Sequence, residues 1–268
     1  MHEIKPRTPA QILLIGVVVL YAAVLLVAPL VAVFQGTFAD GVAPVLKAFT
    51  DPDVISALKL TASLVIAATV INTLAGVALA WVLVRHEFPG KHLFDAMVDL
   101  PFVVSPVIVG YVIIVLFGRE GWLGGIPFKI AFSWLGMLLV TVFVSLPFVT
   151  REVMPVLAAM TPEQEEAAYT LGASHLLTFR RVILPSIWRG ILYGIILTMA
   201  RALGEFGAVA VAGGGIRGVT ETSTLFIFRA LHDRNYVGAY SLALLLGVLS
   251  VIILLLMNTL RTPTTRKT

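Results

Sequence analysis

Long apolar stretches separated by short polar connections dominate this chain. A helix needs about 20 mainly apolar residues to cross the hydrocarbon of a bilayer. Six stretches meet that requirement, so the pattern predicts an all-α, polytopic membrane protein with six transmembrane helices. Their approximate bounds are Ile12–Phe34, Leu60–Val84, Phe94–Phe117, Phe132–Val149, Gly190–Ala212 and Tyr236–Leu260.

The spans and their connections divide the chain into three regions. Residues 1–58 are predicted to form an N-terminal transmembrane helix and an external elbow with one or two surface helices, because glycines and prolines interrupt the connection. Residues 59–260 form the transmembrane core, and residues 261–268 a basic cytoplasmic tail. The first apolar run exceeds that of a signal peptide and lacks a small-x-small cleavage site, so we expect it to remain uncleaved.

Composition agrees with a membrane protein and suggests its orientation. Hydrophobic residues make up 59% of the chain and charged residues 13%, against roughly 45–50% and about 25% in soluble domains. The net charge of +4 is better explained by basic residues at the ends of the spans than by nucleic acid. If both termini are cytoplasmic, the inner segments hold eleven Lys and Arg residues and the outer segments seven. The bias predicts cytoplasmic termini.

One long polar segment, between the fourth and fifth spans, is predicted to be a helix–turn–helix bracket on the cytoplasmic side. Thr161 and Gln164 fit a capping box at a helix start, and Gly172 suits a left-handed end. Ser174 suits the start of a second helix. Pro185 then marks the start of the fifth span.

The bracket has two interpretations. It could rest on lipid headgroups as an amphipathic loop, or it could be a docking surface for a soluble protein. Charged residues crowd in and around it, and its acids would be repelled by an anionic leaflet, which favours docking. These residues are Glu152, Glu163, Glu165, Glu166, Arg151, Arg180, Arg181 and Arg189.

The same segment resembles the EAA loop of ABC-importer permeases. Glu166-Ala167-Ala168, then Gly172, then Val182-x-Leu184-Pro185 reproduces that motif, with Val182 in place of the usual isoleucine. The resemblance implies a type I ABC-importer permease fold with a cytoplasmic coupling helix. It also implies that six residues couple the chain to an ATP-binding subunit: Glu166, Ala167, Ala168, Gly172, Leu184 and Pro185.

Three further stretches, Leu100–Gly110, Ser133–Glu152 and Leu197–Val211, resemble sulfate/thiosulfate permeases of the W type. Molybdate permeases share the RxLGEFGA pattern, so molybdate or tungstate is the alternative substrate. The resemblance implies a homologous T-type permease, two ATP-binding subunits and an extracytoplasmic sulfate-binding protein as partners. It further implies residence in the bacterial inner membrane, no cofactor on this chain, and ATP and Mg on the ATPase subunits.

Arg201 and Glu205 are predicted to lie inside the fifth span. A lone charge there costs roughly 2.5–3.5 kcal/mol even on the milder insertion scale. At positions i and i+4 the two side chains can pair along one helix face. Two interpretations stay open: a structural pair that holds helices together, or an arginine on the anion pathway whose charge Glu205 moderates.

Two other sites are candidates for the pathway. Pro101 and Pro106 should kink the third span, and the freed carbonyls and the Ser105 hydroxyl could then face an anion. Close packing against a neighbouring helix is the alternative. Gly213, Gly214 and Gly215 could unwind into an external gate or form an ordinary loop. Asp95 and Asp99 are expected to balance Arg85, Lys91 or the bracket arginines.

Other function classes lack their motifs. The sequence has no phosphate-binding P-loop, no G-x-S-x-G elbow and no histidine spacing of a metal site, and it has no cysteine. We therefore expect a transporter subunit without a metal or ATP of its own. A membrane-embedded enzyme and a passive anion channel are the rival classes. The presence of an ATPase partner would discriminate against both.

Overall fold

Helices account for all the regular secondary structure of residues 8–260, the part of the chain that this computed structural model describes. The predicted tail, 261–268, lies outside the described residues. The helices are α1 (Pro9–Phe38), α2 (Val42–Ala48), α3 (Pro52–Arg85), α4 (Lys91–Val98), α5 (Leu100–Val103), α6 (Pro106–Phe117), α7 (Trp134–Ala158), α8 (Pro162–Thr170), α9 (His175–Thr178), α10 (Leu184–Leu203), α11 (Gly207–Gly213), α12 (Ser223–His232) and α13 (Tyr236–Leu260).

Five helical segments are long and apolar enough to cross a membrane: α1, α3, α7, the run from α9 through α10, and α13. The predicted third span is not a single helix, although α4, α5 and α6 together run from one end of the bundle to the other. Asp99 contacts Arg151 near the end of α7, whereas Ile113 lies against Gly136 near its start. The broken third segment therefore extends along most of α7, which is consistent with the six predicted spans.

The core is built around α3, α7 and α10. Asn72 on α3 is fully buried, and its amide donates to the Val142 carbonyl at 3.1 Å and to Ser145 Oγ at 2.8 Å on α7. Glycines bring the backbones close at Val149: a Cβ built on Gly76 would lie 2.7 Å from Val149 Cβ, and one on Gly194 would lie 2.6 Å from Val149 Cα. Small residues at helix contacts are how membrane helices pack without a hydrophobic driving force.

Substitution at these glycines is expected to destabilise the bundle. Gly194→Leu would force α10 away from α7 and should lower the free energy of unfolding by about 1–3 kcal/mol. The measurement is thermal unfolding of the detergent-purified protein. Gly247→Leu on α13 is the matched control, since no atom lies within 4 Å of a Cβ built there. Equal melting temperatures for the two variants would contradict this account of the core.

The two ends of α3 define the two ends of the bundle. Asp51 caps its first turn, accepting from Asp53 N at 2.8 Å, and Arg85 is its last residue. We call these the Asp53 end and the Arg85 end. The most apolar stretch of α1 has no buried residue, and α1 packs against α13 and α2. It therefore lies at the periphery of the bundle.

The second and third spans differ from their predicted bounds. α3 begins at Pro52 rather than Leu60, which shortens the elbow to one helix, α2. Pro101 and Pro106 were predicted to kink one continuous helix, and this is wrong. Each proline instead lies in the first turn of a new helix. A proline lacks only an amide that the first turn leaves unpaired, so helix starts accept it where helix interiors do not.

The fifth span also differs from its prediction. α10 begins at Leu184 with Pro185 in its first turn, as predicted, and ends at Leu203. The helical run that leads into it starts earlier, at His175, and passes through a π-helical turn at Phe179–Ile183. The π turn shifts the hydrogen bonding by one residue just before Pro185, where the ring would disturb an α-helical ladder. The predicted continuous helix to Ala212 is broken at residues 204–206, and α11 follows.

Candidate coupling surface and translocation site

α8 and α9 form the predicted helix–turn–helix bracket at the Arg85 end of the bundle. Gly172 has φ +82° and its amide donates to the Tyr169 carbonyl at 2.9 Å, which ends α8 in the left-handed conformation expected for glycine. Ser174 caps α9 by accepting from Leu177 N at 3.4 Å. The predicted capping box at Thr161 is wrong, because its side chain makes no cap hydrogen bond.

The bracket presents apolar side chains to its surroundings. Leu171 is 88% exposed and Leu176 77% exposed, and Glu166 and Ala167 are exposed as well. Ala168 is half-buried. Exposed apolar patches ringed by polar residues mark interaction sites in soluble regions. The bracket thus has the exposure and the small side chains that a docking surface requires, whereas Leu184 and Pro185 lie at the start of α10.

Ion pairs connect neighbouring helices at the Arg85 end of the bundle. Arg85 Nη2 lies 2.5 Å from Glu165 Oε1, which links the end of α3 to α8. Arg151 on α7 donates to both Asp95 and Asp99 at 2.7 Å. An arginine of the polar segment therefore balances the two aspartates, as one of the predicted alternatives states. The Arg85 pair was not predicted, because the two residues are 80 positions apart.

Three breaks in secondary structure meet beside Thr61 of α3, about 12 Å along that helix from Asp53 at 1.5 Å per residue, in what we call the helix-break region. The first is residues 204–206, between α10 and α11. The second is the turn before α12, where Ser223 N donates to Thr61 Oγ1 on α3 at 2.8 Å. The third is the start of α6, since a Cβ on Gly207 would lie 3.0 Å from Val107 and 3.8 Å from Pro106. Non-helical backbone at membrane depth is tolerated where protein covers it or where it lines a pathway.

Glu205 lies at the centre of this region. It is 4% exposed, Oε1 accepts from Ala208 N at 3.0 Å, and its backbone carbonyl accepts from Thr224 Oγ1 at 2.6 Å. Glu205 therefore caps α11 and ties it to α12. The cavity beside it measures about 10 Å³, which is roughly the volume that one water molecule needs. No anion of sulfate size fits there.

Arg201 pairs with Glu205 as predicted, but not along one helix face. Its Nη1 lies 2.7 Å from Glu205 Oε2, whereas α10 ends at Leu203, so the pair spans the break. The guanidinium N–H bonds do not point at that oxygen, which makes no aligned hydrogen bond. The Arg201 side chain is 31% exposed, so it borders the buried region on one side and the surroundings of the chain on the other.

The remaining pathway candidates fall into two groups. Pro106 lies at the helix-break region, and Ser105 is the residue that precedes α6. Gly213, Gly214 and Gly215 lie at the other end of α11, where Gly214 and Gly215 have φ +72° and +59°. Thr220 holds that turn by donating to the Gly213 carbonyl at 2.7 Å. The glycine turn is therefore separate from Arg201.

A second charged cluster lies at the Asp53 end and was not predicted. Arg229 on α12 lies 2.6 Å from the buried Glu221, 3.5 Å from Asp53 and 3.2 Å from Asp233. The hydrogen bonds that Arg229 donates to the Glu221 carboxylate raise the pKa of the Arg229 guanidinium above its usual value. Arg217 also pairs with Asp53. These contacts fix the turn before α12 to the start of α3.

Comparison with known proteins agrees with this architecture. Residues 72–265 match the model of the family described as "Binding-protein-dependent transport system inner membrane component". The chain belongs to this family. It is therefore a permease subunit of an ABC transport system and a multi-pass membrane protein rather than an enzyme.

Several relatives of the permease are named as sulfate transport proteins. It is 44% identical to the Sulfate transport system permease protein CysW of Synechocystis, over 94% of this chain and 93% of that protein. It is 36% identical to the CysT protein of Salmonella typhimurium, over 94% and 93%. The permease also shares its fold with a chain of a bacterial alginate ABC transporter, with TM-score 0.76 and 17% identity over 94% of both chains.

Proposed function

We propose that this permease subunit imports sulfate in an ATP-driven complex. The observation that carries the proposal is the 44% identity to a sulfate permease over nearly the whole chain. The greater similarity to CysW than to CysT supports a W-type subunit that pairs with a homologous T-type permease. Molybdate and tungstate, also tetrahedral dianions, are the competing substrates.

The helix-break region supports a role of this chain in anion translocation. Arg201 lies in the last turn of α10, next to the break at residues 204–206, and is partly exposed, so an anion between two permeases could reach it from the exposed side. The paired Glu205 lowers the net positive charge, which favours release as well as binding of the cargo. Each permease would thus supply half of the pathway, with Ser105 and Pro106 on its border.

The bracket supports coupling to one of the two ATP-binding subunits. Closure of the ATPase pair would push Glu166, Ala167, Ala168 and the neighbouring Gly172 turn, and the spans would rock between inward-open and outward-open states. The Arg85 end and both termini would then be cytoplasmic. An extracytoplasmic binding protein would deliver sulfate at the Asp53 end.

Uptake by proteoliposomes that contain the assembled complex tests this function. Labelled sulfate is added with the binding protein outside and ATP inside, and unlabelled thiosulfate or molybdate is added as competitor. We expect ATP-dependent sulfate uptake that excess thiosulfate reduces and equimolar molybdate does not. A complex with a hydrolysis-deficient ATPase subunit is the control. Uptake without ATP would indicate a channel, and preferential uptake of molybdate would overturn the substrate assignment.

A further inference from the structure

The Arg85–Glu165 pair joins the bracket to a spanning helix. The two side chains are only 18% and 14% exposed, and their charged atoms lie 2.5 Å apart. Exposed pairs contribute little because water screens them, whereas breaking a sheltered pair leaves an uncompensated charge. The pair is thus stronger than the exposed Lys91–Glu87 contact nearby, in which Glu87 is 88% exposed.

Both partners lie at the helix ends that favour their charge. Arg85 is the last residue of α3, where the helix dipole is negative, and Glu165 lies in the first turn of α8, where it is positive. The Arg85 guanidinium also lies 5.9 Å from the centre of the Trp81 ring on its own helix. The guanidinium is therefore fixed on α3 while it holds α8.

α8 has few other attachments to the bundle. It packs against α9 and the π-helical turn, its neighbours in sequence. Among the side-chain hydrogen bonds of residues 8–260, the bond from Arg85 is the one that joins α8 to a transmembrane helix distant in sequence. A displacement of α8 can enter the bundle through the chain on either side of it, into α7 or into α9 and α10, or through this pair.

The opposite end of α3 is also held by ion pairs. Asp53 contacts Arg217 and Arg229, and Ser56 Oγ donates to the Gly218 carbonyl at 3.2 Å. At 1.5 Å per residue, Asp53 and Arg85 lie about 48 Å apart along the helix, more than the roughly 30 Å of hydrocarbon. One rigid helix therefore contacts the bracket at one end and the turn of residues 216–222 at the other.

We infer that Arg85 and Glu165 are positioning residues that transmit the displacement of the bracket to α3, and that α3 transmits it to the turn of residues 216–222. The inference rests on the proposed function, in which a partner ATPase moves α8. It adds a specific connection: the ion pair, rather than the covalent paths into α7 and into α9 and α10 alone, moves the far end of the bundle.

Charge reversal with rescue tests the inference. Arg85→Glu and Glu165→Arg each place like charges together and should reduce sulfate uptake about fivefold, which corresponds to roughly 1 kcal/mol. The ATPase subunits should still copurify and hydrolyse ATP. The double variant restores an opposite-charge pair and should recover at least half of the wild-type uptake. Glu87→Arg, which breaks the exposed Lys91 contact, is the matched control and should transport normally.

A second measurement does not depend on the cargo. Because the chain has no cysteine, Val219→Cys can carry the only nitroxide label of this subunit, at an exposed position in the turn of residues 216–222. A non-hydrolysable ATP analogue should change the spectrum of this label in the assembled complex. The change should be absent in Arg85→Glu and return in the double variant.

The outcomes separate the two proposals. Normal uptake in a single variant, a double variant no better than the singles, or loss of the ATPase subunits from the singles would overturn the inference. A nitroxide response that persists in Arg85→Glu would do the same. A wild-type complex without sulfate uptake but with a response that the double variant restores would refute the substrate and support the connection.

Discussion

The double substitution Arg201→Met with Glu205→Gln is expected to leave an assembled complex whose sulfate uptake falls by at least about 30-fold. Without Arg201 the sulfate dianion loses the cation that pairs with it. Loss of one partner of a desolvated charge pair costs roughly 2–5 kcal/mol, and 2 kcal/mol corresponds to about 30-fold. The double variant removes both charges, so no unpaired carboxylate is left beside α11. Glutamine keeps the oxygen that accepts from Ala208 N.

This variant separates the two interpretations of the pair. Arg201→Met alone leaves a buried Glu205 charge, so poor assembly of that variant would be uninformative about the anion. If the pair is only structural, the double variant should assemble and also transport. Size-exclusion chromatography with the partner subunits measures assembly, and proteoliposome uptake measures transport. Normal uptake by the assembled double variant would contradict a role for Arg201 in the pathway.

Substitution Gly172→Val is expected to reduce uptake by about tenfold or more. The residue has φ +82°, a conformation that costs an L-residue roughly 1–2 kcal/mol and a β-branched residue more. The strained turn would change the angle between α8 and α9 and move Leu171 relative to Leu176. Copurification of the ATPase subunits should fall together with uptake.

The control for this substitution is Gly90→Val. Gly90 has φ +85°, and like Gly172 it has no atom within 4 Å of a Cβ built on it. The two substitutions therefore impose the same backbone strain, and Gly90 lies at the start of α4, outside the bracket. Equal losses of ATPase binding in the two variants would show that general strain, rather than the bracket, is responsible.

Sequence reasoning predicted local features better than long-range ones. The turn at Gly172 and the cap at Ser174 depend on neighbouring residues, and both are confirmed. The capping box at Thr161 failed although its pattern was complete, because a pattern permits a side-chain bond without requiring it. Prolines in the third span were correctly recognised as interruptions, but apolar content alone does not distinguish a kink from a new helix start at Pro106.

The helix-break region could be predicted only in part. Arg201 and Glu205 attracted attention because charges are costly in a bilayer. The break between them could not be seen, since the RxLGEFGA stretch remains apolar on both sides and Gly204 is compatible with a helix interior. The contact of Thr224 with Glu205 and the pair of Arg85 with Glu165 join residues far apart in sequence. Neither pattern nor propensity carries such information.

The burial of Asn72 has a consequence for biogenesis. Its amide partners on α7 lie 70 and 73 residues further along the chain. During synthesis α3 must enter the bilayer well before α7 is made, so the amide faces lipid or the insertion machinery without its native partners. Nascent chains that end before α7 should therefore be the ones that membrane quality-control proteases recognise, because the Asn72 amide gains its native partners only once α7 is inserted.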